Sequence, residues 1–221
     1  MTRDIERRSG RDTDRILEVE DLHTVYHTED GTLHAVDGVS FTLDSQETLG
    51  LVGESGCGKT TAAKAIMRLL PRNGEITGGS VRLHGIEVTD LSETELRKQI
   101  RWTEISMIPQ TAMNGFDPVK TVGRQIVDVI TRHESDTSKR QARERAMELF
   151  ENLGLERSRV DDYPHQFSGG MAQRAMIAMA LALSPAIILA DEPTTALDVM
   201  IQDRILRQIE ELQAEFDTAM I

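Results

Sequence analysis

Apolar and polar positions alternate from Ile16 onward: Leu17, Val19 and Val25 precede an Asp30-Gly31 turn, and Leu33, Ala35, Val39, Phe41 and Leu43 follow it. A period of two around a Gly-containing turn predicts short antiparallel strands with one buried face. The next apolar run, Thr48-Leu49-Gly50-Leu51-Val52, predicts a strand entering a glycine-rich turn and then a helix that Pro71 and Asn73-Gly74 terminate. Val81-Arg82-Leu83 and Ile86-Glu87-Val88 flank His84-Gly85 as a second hairpin, and Ser92 with Glu95 three residues later predicts a capping box opening a helix. Ile105-Ser106-Met107-Ile108 predicts one more strand, stopping at Pro109-Gln110.

After Gln110 the spacing becomes helical. Val122, Ile126, Val129 and Ile130 form one stripe; Ala142, Ala146, Leu149, Phe150 and Leu153 form another, ended by Gly154; an Ala- and Met-rich helix follows Ser168. Ala186-Ile187-Ile188-Leu189-Ala190 is a continuous apolar run, as expected of a parallel strand buried on both faces. Ile201, Ile205, Ile209, Leu212 and Phe216 mark the face of a last amphipathic helix. The expected organisation is a disordered tail over 1–15, a β layer with the first part of an α/β core over 16–110, a helical insertion over 111–185, and the rest of the core over 186–221.

The acidic balance narrows the partners. With 25 Lys and Arg against 37 Asp and Glu, the net charge of -12 is the wrong sign for neutralising nucleic-acid phosphates, so no nucleic-acid partner is expected. Only five of the 25 basic residues are lysines (Lys59, Lys64, Lys98, Lys120, Lys139), which together with the acidic excess points to adaptation to high salt. The self-repulsion is screened over ~10 Å at 0.1 M salt and ~3 Å at 1 M. Thermal stability is therefore expected to rise with KCl, and a melting temperature flat or falling up to molar salt overturns that reading. A single cysteine, Cys57, excludes an intramolecular disulfide and fits a reducing cytosol. The charged N-terminus has no apolar segment resembling a leader, and no run approaches the ~18 apolar residues a membrane span needs.

Two short stretches carry the chemistry. Gly53-Glu54-Ser55-Gly56-Cys57-Gly58-Lys59-Thr60 matches G-x-x-x-x-G-K-[ST] between a predicted strand and a predicted helix. Its glycines let backbone N–H groups converge on phosphate oxygens, Lys59 faces the β- and γ-phosphates, Thr60 ligates Mg²⁺, and Thr61 donates to the α-phosphate. Asp191-Glu192 closes the apolar strand at the edge where α/β sheets bind ligands. Asp191 suits Mg²⁺ and Glu192 suits a water attacking the γ-phosphate; the alternative, an N-cap carboxylate ahead of Pro193, loses ground beside the phosphate loop.

A third stretch, Phe167-Ser168-Gly169-Gly170-Met171 with Gln173 and Arg174, sets a second anion-binding helix start in the same chain. With it the sequence resembles the ATP-binding cassette ATPases over about residues 16–219: phosphate loop, Gln110, signature at Ser168-Gly169-Gly170, Asp191-Glu192, and Ala196-Leu197-Asp198, in family order. The resemblance implies a P-loop α/β core with an antiparallel β layer and an inserted helical subdomain. It implies ATP and Mg²⁺ as ligands, Gln110 beside the metal and the reaction, Tyr26 under the adenine, and Ser168, Gly169 and Gly170 closing on a nucleotide held by a second cassette. Tyr26 also reads simply as a half-buried strand residue, and His165 as a loop residue that packs.

GESGCGKTT, DYPHQFSGGM, IAMALALSP and ADEPTTALDV resemble the ATPase subunits of dipeptide, oligopeptide and nickel importers. That branch implies an ATPase powering uptake of peptides, or of nickel or another small solute, at the cytoplasmic face of the membrane. The implied partners are permease subunits, a second ATPase subunit and, indirectly, an extracellular solute-binding protein. Thr111 to Pro118 departs from the Ser-Leu-Asn-Pro ending of relatives, and no histidine follows His165, so the family's switch histidine is missing. A fragment that binds ATP without efficient hydrolysis is the expectation from that ending. The stretch between Gln110 and Ser168 has room for a compact helical subdomain and none for the long coiled coil of a DNA-repair cassette.

Overall fold

The computed structural model describes residues 15–193, 211, 213 and 216–221. The expected tail up to residue 14, Ala196-Leu197-Asp198 and the Ile201, Ile205, Ile209 and Leu212 stripe lie outside these described residues. Arg15, assigned above to the tail, begins the first strand.

Strands β1 (Arg15–Thr28), β2 (Gly31–Asp44), β3 (Gly74–Leu83) and β4 (Ile86–Glu87) form an antiparallel sheet in the order β2-β1-β3-β4. In place of several short strands, β1 and β2 are two long ones of 14 residues each, and register shifts between Val19 and Val25 keep them curved. Helix α1 (Lys59–Ile66) starts directly after Gly58. It ends well before Pro71, because Arg68 turns left-handed (φ 51°) and donates its N–H back to Ala65 O. The Ser92/Glu95 capping box forms with both reciprocal bonds, yet the helix it opens, α2 (Glu93–Glu95), passes at once into a π-helical turn at Leu96–Ile100.

The second sheet is parallel, β5 (Ile105–Ile108), β6 (Ile187–Ala190) and β7 (Ala219–Met220), in that order. Thr48 to Val52 does not form the ladder expected of it. Thr48 makes one parallel bridge to Met220 and the Leu49 N–H donates to Met220 O at 2.8 Å, while Val52 is 93% exposed: strand composition without a ladder partner beyond Leu49 among the described residues does not make a strand.

Helices α3 (Val122–His133), α4 (Lys139–Asn152) and α5 (Gly169–Ala180) make the helical layer. The α3 stripe buries Val122, Ile126, Val127 and Ile130; Val127 takes the place expected for Val129. On α4 the stripe is as spaced, with Phe150 fully buried and edge-to-face on Phe167 at 6.3 Å and 86°. Two cores result, and the parallel sheet is their common wall. Ile188, Ile108 and Met220 face the helices, whereas Ile187, Leu189, Ile105 and Ala219 face the β layer and α1. That alternation is why β6 reads as a run without polar positions.

Candidate nucleotide site

The phosphate loop is shaped by what its glycines permit. Gly56 and Gly58 hold φ of 82° and 97°, and a Cβ on Gly58 would lie 2.2 Å from Ala35 O, so the loop seats against the β2 backbone only with glycine there. Lys59, the first residue of α1, folds its ammonium back to donate to Gly53 O and Glu54 O, both at 2.9 Å, with Cys57 Sγ 3.9 Å away. Ser55 lies in the same exposed loop. The loop thus sets a cation and a helix N-terminus side by side, and the two together favour a polyphosphate.

The carboxylates arrive from the parallel sheet. β5 and β6 pair with Ile108 opposite Ala190, and the Asp191 N–H donates to Ile108 O at 2.9 Å, so Gln110, Asp191 and Glu192 emerge at the same carboxyl edge. Thr60 Oγ1 donates to Asp191 Oδ1 at 2.8 Å, and Gln110 Nε2 donates to Glu192 Oε2 at 2.9 Å. Glu192 itself is left-handed (φ 48°), a conformation a glutamate adopts only when its surroundings hold it there. A cleft of about 280 Å³ is lined by Lys59, Asp191 and Glu192 at its polar side and by Leu49, Ala63 and Met220 at its apolar side.

Tyr26 lies on β1 between Leu33 and Gly74 of the neighbouring strands. Its hydroxyl is 3.2 Å from Thr61 Oγ1, which joins the predicted adenine platform to the predicted α-phosphate donor. A Cβ on Gly74 would stand 2.8 Å from the Tyr26 ring. Gly74 is therefore a supporting residue that sequence reasoning took only for a helix terminator; its signal, a glycine aligned with the aromatic across a strand pair, exists only once the register is known. Ala35, whose carbonyl abuts the loop, left no sequence signal.

Ser168 caps α5, its Oγ accepting from the Met171 N–H at 3.4 Å, and it and Gly169 are exposed in the helical layer. Gly170 is half-buried in the first turn. The chain thus brings Lys59, Thr60, Thr61, Tyr26, Gln110, Asp191 and Glu192 toward one centre and presents Ser168, Gly169 and Gly170 on a different layer. His165 stacks on Tyr163 at 5.7 Å, in keeping with a packing role. Among the described residues no helix is long and apolar enough to cross a membrane.

The chain is 45% identical over 210 residues to a dipeptide transport ATP-binding protein of Lactococcus lactis subsp. cremoris, covering 94% of this chain and 60% of the relative. It is 46% identical over 210 residues to an oligopeptide transport ATP-binding protein of Bacillus subtilis, covering 94% and 58%. It therefore spans about three fifths of the length of these curated relatives. An ATP-binding cassette solved as a dimer in a post-hydrolysis state, bound to ADP and Pi, superposes with a TM-score of 0.82 at 30% identity, covering 93% of this chain and 86% of that one. The pattern of the ABC transporter family matches residues 36–195. That match covers more than half of the chain, and the chain belongs to the ABC transporter family.

Proposed function

We propose that the chain is the ATP-binding and hydrolysing subunit of a binding-protein-dependent importer that takes up peptides, working at the cytoplasmic face of the membrane through permease subunits. The observation that carries the ATPase reading is the Thr60–Asp191 bond of 2.8 Å, which sets two hard oxygen ligands beside the phosphate loop. Oxygen donors of this kind, hydroxyl plus carboxylate, suit Mg²⁺ and leave it room for waters and phosphate oxygens. Mg²⁺ bound there supplies neutralisation of the β- and γ-phosphate charge. The peptide reading rests on the names of the relatives at 45% and 46% identity.

In this mechanism the loop from Gly53 to Thr60 binds the triphosphate, Lys59 leaves the Gly53 and Glu54 carbonyls for phosphate oxygens, and Tyr26 supports the base. Glu192 orients the attacking water and accepts its proton, and Gln110 exchanges its bond to Glu192 for the reacting centre. Ser168, Gly169 and Gly170 serve the nucleotide of a second cassette, which explains why one chain carries two anion-binding helix starts.

The test is equilibrium binding of Mg·ATP. Lys59→Ala loses a charge-assisted donor worth ~1.5–3 kcal/mol, so affinity is expected to fall roughly 10- to 150-fold. Equal affinity in the two proteins sinks the assignment. Cys57 is exposed beside Lys59. Its modification by a maleimide is expected to be suppressed by saturating Mg·ATP, and labelling at an unchanged rate contradicts this placement. For the solute, cells carrying Glu192→Gln are expected to lose uptake of labelled oligopeptides and to keep uptake of nickel; the reverse pattern assigns the subunit to nickel.

A further inference from the structure

Away from the nucleotide site, Arg97, Lys98, Arg101, Trp102, Arg132 and His133 line a cleft of about 500 Å³. Four permanent cations around one cleft stand out in a chain of net charge -12. Nearby acids do not neutralise the set. Glu93 is the shared partner of Arg97 and Arg101, at 2.7 Å from each, and these guanidinium bonds hold its carboxyl below the usual range, so it stays ionised and occupied. Arg101 is further committed to the carbonyls of Met67 and Arg68. Glu134, next to His133, pairs with Arg145 at 2.9 Å. Lys98 and Arg132 have no carboxylate partner among the described residues. Burial, reinforced by Arg132, pushes the His133 imidazole below the usual histidine range, so near pH 7 it serves as a neutral hydrogen-bonding group.

The backbone at this cleft is also unusual. Leu96–Ile100 is the π-helical turn, closed by the Arg101 N–H donating to Leu96 O at 2.8 Å, and Trp102 follows with φ 75°. A tryptophan in the left-handed region is a conformational outlier, and π turns recur at functional sites. The placement matters as well. Leu96 and Ile100 belong to the core under the β layer, whereas Trp102 and Ile130 of α3 pack in the helical core, so the cleft lies on the seam between the two. Seams of this kind are where small-molecule sites concentrate, and the volume is in their usual range.

We propose that this cleft is a second anion site, separate from the phosphate loop, which takes a small phosphate-bearing ligand between Lys98 on the π turn and Arg132 at the end of α3. Two cations without a carboxylate partner among the described residues match the double charge of a phosphoryl group, and the Arg guanidinium donates through a planar fork that suits phosphate oxygens. A ligand held from both sides ties the helical layer to the β layer, so it influences how the two move relative to each other.

Trp102 is the single tryptophan of the chain, so its fluorescence reports on this cleft directly. The experiment titrates the 221-residue chain with pyrophosphate at fixed ionic strength. A saturable change in Trp102 emission is expected, with affinity at least about tenfold weaker in Lys98→Glu/Arg132→Glu. The affinity is expected to be unchanged in Lys59→Ala, which addresses the phosphate loop, and in Lys139→Glu/Arg140→Glu, which makes the same change in net charge elsewhere. Circular dichroism checks that each variant is folded, and Lys98→Gln/Arg132→Gln replaces the reversal if that variant is not. Absence of a saturable signal overturns the proposal. So does a signal lost in Lys59→Ala but kept in Lys98→Glu/Arg132→Glu, since it then comes from the phosphate loop, and so does a response to a poly-glutamate peptide with none to pyrophosphate.

Discussion

Glu192→Gln is expected to leave Mg·ATP affinity within about twofold of wild type and to lower ATP turnover ~10²- to 10⁴-fold, the range that a positioned general base contributes. The substitution is nearly isosteric, and the Gln110 contact survives in altered form because an amide oxygen still accepts from Gln110 Nε2, which lies 2.9 Å from Glu192 Oε2. What disappears is the carboxylate proposed to take the water's proton. In the proposed mechanism the triphosphate is held elsewhere, by the loop whose Lys59 and glycines are untouched. Steady-state phosphate release and equilibrium binding, measured on the same preparations, separate the two effects. If turnover is unchanged, Glu192 is not the base and its left-handed backbone serves another purpose. If turnover and affinity fall together, the carboxylate shapes the binding site.

Gly58→Ala is expected to abolish ATP binding and to lower stability by roughly 2–4 kcal/mol. The left-handed conformation alone costs an alanine about 1–2 kcal/mol, and the new methyl is directed to within 2.2 Å of Ala35 O, a backbone atom that cannot rotate away. Either β2 or the loop shifts, and a displaced loop no longer converges its N–H groups on phosphate. Gly56→Ala is the matched control. Its φ of 82° carries the same conformational cost, but nothing lies within 4 Å of the added Cβ. Thermal melts are expected to place Gly58→Ala several degrees below Gly56→Ala, with weakened ATP binding retained only in the latter. Equal melting temperatures show that the Ala35 contact does not constrain the loop.

The amino-acid sequence by itself determined those features that short windows encode. The period-two run through β1 and β2, the Ala142 to Leu153 stripe, the Ser92/Glu95 box and the unbroken Ile187 to Leu189 run each follow from local spacing, because side-chain period and capping chemistry need only a few neighbouring residues. The phosphate loop was legible for the same reason, since its turn, cation and hydroxyl are consecutive. Tertiary structure decided everything that depends on register or on which faces meet. Thr48 to Val52 has strand composition, yet a strand is a pairing and only Thr48 and Leu49 find Met220. Val127 replaces Val129 in the core because the facing surfaces, not the period, select among adjacent apolar positions. Gln110 meets Glu192 across 82 positions only through the β5–β6 register, and Tyr26 reaches Thr61 only once β1 lies over α1. The basic cleft around Trp102 was invisible for the same reason: Lys98 and Arg132 are distant, unremarkable surface residues in the sequence, and folding of the π turn against the end of α3 is what sets their charges around one cavity.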